Sequence, residues 1–358
     1  MRKLNIGIVG TGFGLSVHLP ALLDSNQFNV DSIFVHNKNK LKEISQKTGI
    51  VCQSNWNDFI SNERIDGIIL ATPPHVRFKL AKEALEKNKH LLLEKPVALN
   101  FSEIQQLQRI SLTRNLIVCV DFEYRAVPLF LEAKNLLEEN FLEEIYLIKL
   151  DWLMGSRSDP NRRWDWYSME EKGGGVLGAL GTHAIDMLHW FFGPSSKVSA
   201  NINTSIPFRP NGDNLCKVTS EDVCLANIQI LNNYKNIPCQ VSLSSISKKG
   251  RGFSLEIYGK NGSIFLKSEN QQDYVHGFTL SYVNQNKELV ALNAREKFLF
   301  KKTWSDGRIA PVKRIQELWA KSINEKIPIV PGLNEGVMTQ KVCDAIKESA
   351  KTGITVKI

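Results

Sequence analysis

The chain has 358 residues, 42% of them hydrophobic, and a formal net charge of +8. That apolar content supports two cored domains and excludes a disordered or fibrous chain, and no window is long and apolar enough to span a bilayer. The positive balance comes from lysines spread among acids, in stretches such as "HNKNKLK" and "SKKGRG" that read as solvated turns. It fits an anionic cofactor or substrate better than nucleic acid. The six cysteines (Cys52, Cys119, Cys216, Cys224, Cys239, Cys343) form no CxxC pair. This argues against a zinc site or a disulfide framework and predicts a reducing, cytoplasmic setting with no metal.

In chain order, the opening "MRKLNIGIVGTG" reads as a first strand rather than a signal peptide. Up to residue 122, short apolar runs ("LNIGIVG", "VDSIFV", "DGIILAT", "HLLLE", "NLIVCVDF") alternate with amphipathic segments such as "FKLAKEALEKN" and "FSEIQQLQRISL". Strands alternating with helices predict βαβ units and a doubly wound parallel sheet over residues 1–122. A helix is expected from about Leu129 to Glu139. From Phe141 to Leu292 β-type runs follow one another ("EIYLIKLDWLM", "KVSANINTSI", "DVCLANIQIL", "PCQVSLSSI", "FSLEIYG", "GSIFL"), which predicts an open, mostly antiparallel sheet. Helices return at Pro311 to Asn324 and Glu335 to Lys351. Residues 123–358 are thus expected to form a second α/β domain for substrate and oligomerisation, with the last helix packing back toward the first domain.

"NIGIVGTGFGLSVHLPAL" is a strand, a glycine turn and a helix start, the arrangement that seats a pyrophosphate on backbone amides. Gly10 suits the tight turn, and Gly12 the close approach of the backbone, with Phe13 and Gly14 beside them. The third fingerprint glycine should stand at Leu15, so Gly14 comes one residue early. At the end of the second strand, where an acid would hold the ribose of NAD, stand His36, Asn37, Lys38 and Lys40. No carboxylate is present there, and the lysines favour the 2′-phosphate of NADP; solvated helix-start residues are the alternative. The next strand ends in "ATPPH", which adds Thr72, Pro73 and His75 to the candidate cofactor set.

"LLLEKP" brings Glu94 and Lys95 to the carboxyl end of a strand, on the rim where ligands collect in such sheets. Pro96 restricts Lys95 to extended conformations. An amine there could take the proton of a substrate hydroxyl while hydride leaves for nicotinamide. To act as a base near neutrality it must lose roughly 3 pKa units, about 4 kcal/mol, through burial or a cationic neighbour. It could also serve as a fixed cationic donor with no large shift, and a surface Glu–Lys turn is the plain alternative.

These pieces in this order, with "EYRAVP", "GGGVLGALGTHAIDMLHWFFG", "EIYGKNGSI" and "EGVMTQKVCDAIKESAKTG", resemble the glucose–fructose oxidoreductase/inositol dehydrogenase (Gfo/Idh/MocA) family over nearly the whole chain. The resemblance implies a Rossmann domain, a C-terminal α/β domain, and NAD(P)-dependent hydride transfer with a sugar-like, cyclitol or related polyol or ketone substrate. It also implies a homo-oligomer, dimer or tetramer. Lys95 matches the family's catalytic lysine and His183 its catalytic histidine. A helix from near Leu180 would put His183 and Asp186 on one face, making Asp186 a third catalytic candidate. The chain departs from the family at Ala179, where many members carry an aspartate, and at Arg77, where a histidine is common. Asp186 or Glu123 could replace the missing carboxylate. Glu123, Arg125, Arg163, Trp164 and Trp166 are the candidate substrate residues, since guanidinium groups pair with anions and indoles stack on sugar rings; a lid or a subunit contact is the alternative. An NAD-dependent glycoside hydrolase, or a cofactor-binding regulator without catalysis, are the competing functions.

Overall fold

The computed structural model describes residues 2–270, 273 and 275–358. The chain divides into two compact units, Met1–Glu123 with Arg308–Val337, and Tyr124–Gly307 with Met338–Ile358.

The first unit is a parallel six-stranded sheet. Its strands are β1 (Leu4–Val9), β2 (Phe28–Phe34), β3 (Cys52–Gln53), β4 (Gly67–Leu70), β5 (His90–Leu93) and β6 (Val118–Val120), in the order β3-β2-β1-β4-β5-β6. Ile68, Ile69 and Leu70 are fully buried, as are Leu91, Leu92 and Leu93. Such runs, closed to water on both sides, are what a helix-covered parallel sheet requires. The helices are α1 (Leu19–Leu23), α2 (Leu41–Thr48), α3 (Trp56–Ser61), α4 (Pro74–Glu86) and α5 (Phe101–Thr113). Pro74 at the first helical position fits α4, where its missing N–H costs nothing. Before α5, Asn100 accepts a hydrogen bond from the Glu103 amide, and Glu103 accepts one from the Leu99 amide, a reciprocal cap.

The second unit begins with α6 (Pro128–Glu138), β7 (Ile145–Leu153) and α7 (Thr182–Phe192). The strands β8 (Ser195–Asn203), β9 (Phe208–Asn211), β10 (Asn214–Lys217), β11 (Val223–Asn232), β12 (Lys235–Ser244), β13 (Gly252–Gly259), β14 (Gly262–Ser268), β15 (Thr279–Val283) and β16 (Leu289–Leu292) follow. After α8 (Ile309–Glu325) and α9 (Leu333–Thr352), the chain closes with β17 (Val356–Lys357). The nine-stranded sheet runs β16-β15-β14-β13-β7-β12-β11-β8-β17, antiparallel except for the parallel pair β7–β12. In β11 and β12 buried and exposed residues alternate, so one face packs on the core and the other meets solvent. β17 lies on the outer edge of β8, Val356 opposite Val198 and Lys357 opposite Lys197.

One expectation needs correction. Residues 308–337, assigned by sequence to the second domain, belong to the first unit. Trp319 of α8 is fully buried there and stacks on Phe28, with ring centroids 6.4 Å apart. A Cβ on Gly67 would lie 2.7 Å from the indole, so β4 leaves room for it only because residue 67 is glycine. The β-type runs over Phe141–Leu292 form strands as expected, but β9, β10, β15 and β16 are additional ones, each too short to show a clear alternation.

Candidate active site

The glycine turn follows β1. Gly10 has φ +119°, and a Cβ there would lie 2.3 Å from the Ala71 carbonyl oxygen, so only glycine fits. Gly12 has nothing within 4 Å of where a side chain would start, leaving its backbone open to a ligand. Gly14 is buried, and a Cβ there would sit 3.2 Å from Ile8 Cγ2. Gly14 therefore does the close helix–strand packing that the fingerprint assigns to its third glycine. The early placement coincides with a π-helical turn, Gly14–His18, which absorbs an extra residue before α1. These residues fit a dinucleotide: an open backbone at a strand end, followed by helical amides. The Thr72 hydroxyl at the end of β4 is buried with no protein hydrogen-bond partner among the described residues, a further polar group available to such a ligand. His36, Asn37, Lys38 and Lys40 are exposed, and Asn37 Oδ1 accepts from the Asn39 amide as a helix cap.

Lys95 follows β5, precedes a cis Lys95–Pro96 bond and is partly buried. Arg77, the residue that departs from the family pattern, is buried beneath it. Its guanidinium donates to the carbonyl oxygens of Thr72, Glu94 and Pro96. One planar fork thereby ties the end of β4 to both flanks of the lysine. Burial lowers the pKa of Lys95, while the charges of Glu123 and Glu94 pull it back up. Burial pushes Glu123 up to about 8, against the pull of Lys95. The charge states of Glu123 and the lysine are thereby coupled.

Behind this turn lies a cluster that sequence reasoning missed. His18, Glu94 and Asp121 are all buried, and one nitrogen and two carboxylate oxygens lie within 4.8 Å of one another. His18 Nε2 is 2.9 Å from Glu94 Oε1 and 3.6 Å from Asp121 Oδ2. No spacing marks these residues in the sequence; topology gathers them from the π-helical turn after β1 and from the ends of β5 and β6.

The second unit carries His183 in the first turn of α7, buried, with the Tyr124 ring edge-on at 4.8 Å and Trp152 at 6.2 Å between centroids. Ala179 lies in the π-helical turn Leu177–Gly181 that precedes α7. Asp186 is buried, and both of its oxygens accept from Arg125, at 2.8 Å from Nε and 2.7 Å from Nη2; the guanidinium lies 5.7 Å from the Trp190 ring centroid. Gly175 has φ +97°, and a Cβ there would strike the Glu221 carboxylate, which accepts from the Leu177 amide at 2.8 Å. Arg163 is exposed, whereas Trp164 and Trp166 are half-buried. Trp164 Nε1 donates to the Lys217 carbonyl, and Trp166 meets Tyr167 edge-on at 6.0 Å. The Arg157 guanidinium lies over Tyr167, 3.2 Å from its centroid.

Known proteins resemble this chain in both sequence and fold. Residues 4–122 match the family model "Oxidoreductase family, NAD-binding Rossmann fold". Residues 134–358 match "Oxidoreductase family, C-terminal alpha/beta domain". An uncharacterised oxidoreductase of Synechocystis sp. is 38% identical over 351 residues, 97% of this chain and 94% of its own length. Levoglucosan dehydrogenase of Pseudarthrobacter phenanthrenivorans is 30% identical over 220 residues, 59% of this chain and 56% of that one. A structure of levoglucosan dehydrogenase in complex with NADH and L-sorbose superposes with a TM-score of 0.89, covering 100% of this chain and 99% of that one at 24% identity, a likeness of fold. Among the described residues no helix is long and apolar enough to cross a membrane. Matched through both of its domains, the chain belongs to the Gfo/Idh/MocA family of oxidoreductases with an NAD-binding Rossmann domain.

Proposed function

We propose that this oxidoreductase moves hydride between a nicotinamide cofactor and a hydroxyl-bearing carbon of a sugar-like, cyclitol or related polyol or ketone substrate. The observation that carries this reading is Lys95: a partly buried amine beside the glycine turn's sheet end, its pKa lowered by burial and pulled back up first by the charge of Glu123. When bound, the cofactor supplies the hydride acceptor or donor. In the oxidative direction Lys95 Nζ takes the proton of the substrate hydroxyl, and His183 shares the handling of that proton. Glu123 takes the place of the carboxylate that Ala179 lacks. Asp186, with both oxygens on Arg125, is assigned a positioning role on α7. The turn Gly10–Gly14, with Thr72, Pro73 and His75, holds the cofactor. Lys38 and Lys40 favour NADP over NAD. The sugar-like substrate is supported by the relatives' names and by the half-buried indoles of Trp164 and Trp166, with Arg163 and Arg125 as polar contacts. The six free cysteines are consistent with a cytoplasmic protein, and the exposed sheet face with a homo-oligomer.

The test is a panel of sugars, sugar acids and polyols, followed by nicotinamide absorbance with NAD and NADP separately. Lys95→Ala should lower turnover at least a hundredfold while still binding cofactor. Turnover within a few-fold of the parent would refute the role of Lys95, and at least tenfold tighter binding of NAD than NADP would refute the cofactor preference.

A further inference from the structure

We propose that Glu94 and Asp121 hold a single proton between them, and that this buried acid–carboxylate pair, keyed by His18, is a positioning device that presents one fixed negative charge to Lys95. The inference deepens the proposed role of Lys95 and rests on it.

The argument is a count of hydrogen-bond donors. Gln316 of α8 places its Nε2 3.2 Å from the His18 carbonyl oxygen and 3.2 Å from His18 Nδ1. A carbonyl only accepts, so the atom beside it must be the amide nitrogen, which fixes the orientation of the Gln316 side chain. Its second hydrogen then points at His18 Nδ1, which must be the acceptor. The imidazole is therefore neutral and has one proton to give, on Nε2. That proton goes to Glu94 Oε1 at 2.9 Å; Asp121 Oδ2 lies 3.6 Å from the same nitrogen. Asp121 is fully buried, and neither of its oxygens has a donor in reach among the described residues. Two bare carboxylates this close and this dry cannot both ionise. One proton between them resolves the count: Asp121 donates to Glu94, and Glu94 accepts from both Asp121 and His18. The pair then carries a charge of −1.

The surrounding groups fit this balance. Lys95 and Arg77 from α4 act on Glu94 as cations; the charge of Glu123 bears on Asp121, and Glu94 and Arg308 in turn act on Glu123. Burial opposes ionisation of Glu94, but the His18 hydrogen bond and the charges of Lys95 and Arg77 outweigh it and hold this carboxyl below its usual range. Burial, and then the charges of Glu94 and Glu123, hold Asp121 well above its usual range.

The experiment uses the full chain and two readouts. Infrared difference spectra at pH 7 follow the carbonyl stretch of protonated carboxyl groups, which carboxylates lack, and need no turnover. Asp121→Asn should remove one such band, Glu94→Gln should remove the same one, and Glu123→Gln a different one. The pH dependence of kcat/KM then reports the charge. Either single variant leaves one negative charge on the pair and should leave the acid limb in place. The double variant Glu94→Gln/Asp121→Asn removes that charge and should move the limb down by roughly one pH unit or more. The proposal is overturned if Asp121→Asn keeps every band, if it moves the limb as far as the double variant does, or if the purified protein holds one divalent metal per chain in place of the proton. If Lys95 is not the base, the infrared result still stands and only the limb fails to move, so the two readings fail separately.

Discussion

Folding pushes the Glu123 carboxyl up, chiefly by burial. In the unfolded chain it ionises near 4.5, and in the folded chain near 8. Between these values the native state binds the extra proton, so this group's contribution to stability falls as pH rises, by up to about 1.4 kcal/mol per pH unit. Glutamine has no proton to lose. Glu123→Gln should therefore gain stability relative to the parent on going from pH 5 to pH 8. Urea midpoints at the two pH values measure this, and a gap that stays constant contradicts it. At this scale the sequence revealed what a motif can carry. Lys95 was singled out by its place after a buried strand, and His183 by the family resemblance of its segment. His18 and Asp121 were not, because a single histidine and a single aspartate have no spacing to betray them. Arg77 stood out only as a departure, and its use, holding three carbonyls around Lys95, exists only once β4 and β5 are paired.

The glycine turn shows how one element combines two demands. Gly10 is needed by the fold, since any side chain there strikes the Ala71 backbone, whereas the space at Gly12 is open. Gly12→Val should therefore weaken cofactor binding at least about tenfold, about 1.4 kcal/mol, while leaving the melting temperature close to the parent's. Gly10→Ala should lower the melting temperature as well. Calorimetric titration with scanning calorimetry separates the two, and equal melting losses in both variants would contradict the division. The strand–turn–helix pattern was legible because its period changes from strand to helix within a few residues. The shift of the third glycine to position 14 was not, because a π-helical turn looks like any other helical turn in sequence.

On the scale of the molecule, domains read in chain order were misleading at one place. The first unit is completed by residues 308–337, and its sheet receives Trp319 against Gly67 and Phe28. Neighbours in sequence are the default neighbours in space, and an amphipathic helix does not say which apolar surface it will cover. Trp319→Ala should cost about 3–5 kcal/mol, the range for emptying a large buried site. Denaturant unfolding measures it, and a loss under about 1 kcal/mol would mean that α8 is only loosely held. The two sheets themselves were legible, because uninterrupted apolar runs and alternating ones call for different layers.

The pairing of β17 with β8 has a consequence for how this protein can be handled. A two-residue strip, with the Ile358 amide donating to the Ser196 carbonyl, occupies the flank from which β8 would otherwise recruit another chain. Exposed flanks of this kind are where swapped and fibrillar assemblies nucleate. Ile358→Pro, which removes that amide donor, should bare the flank, and such a variant should be kept dilute during purification.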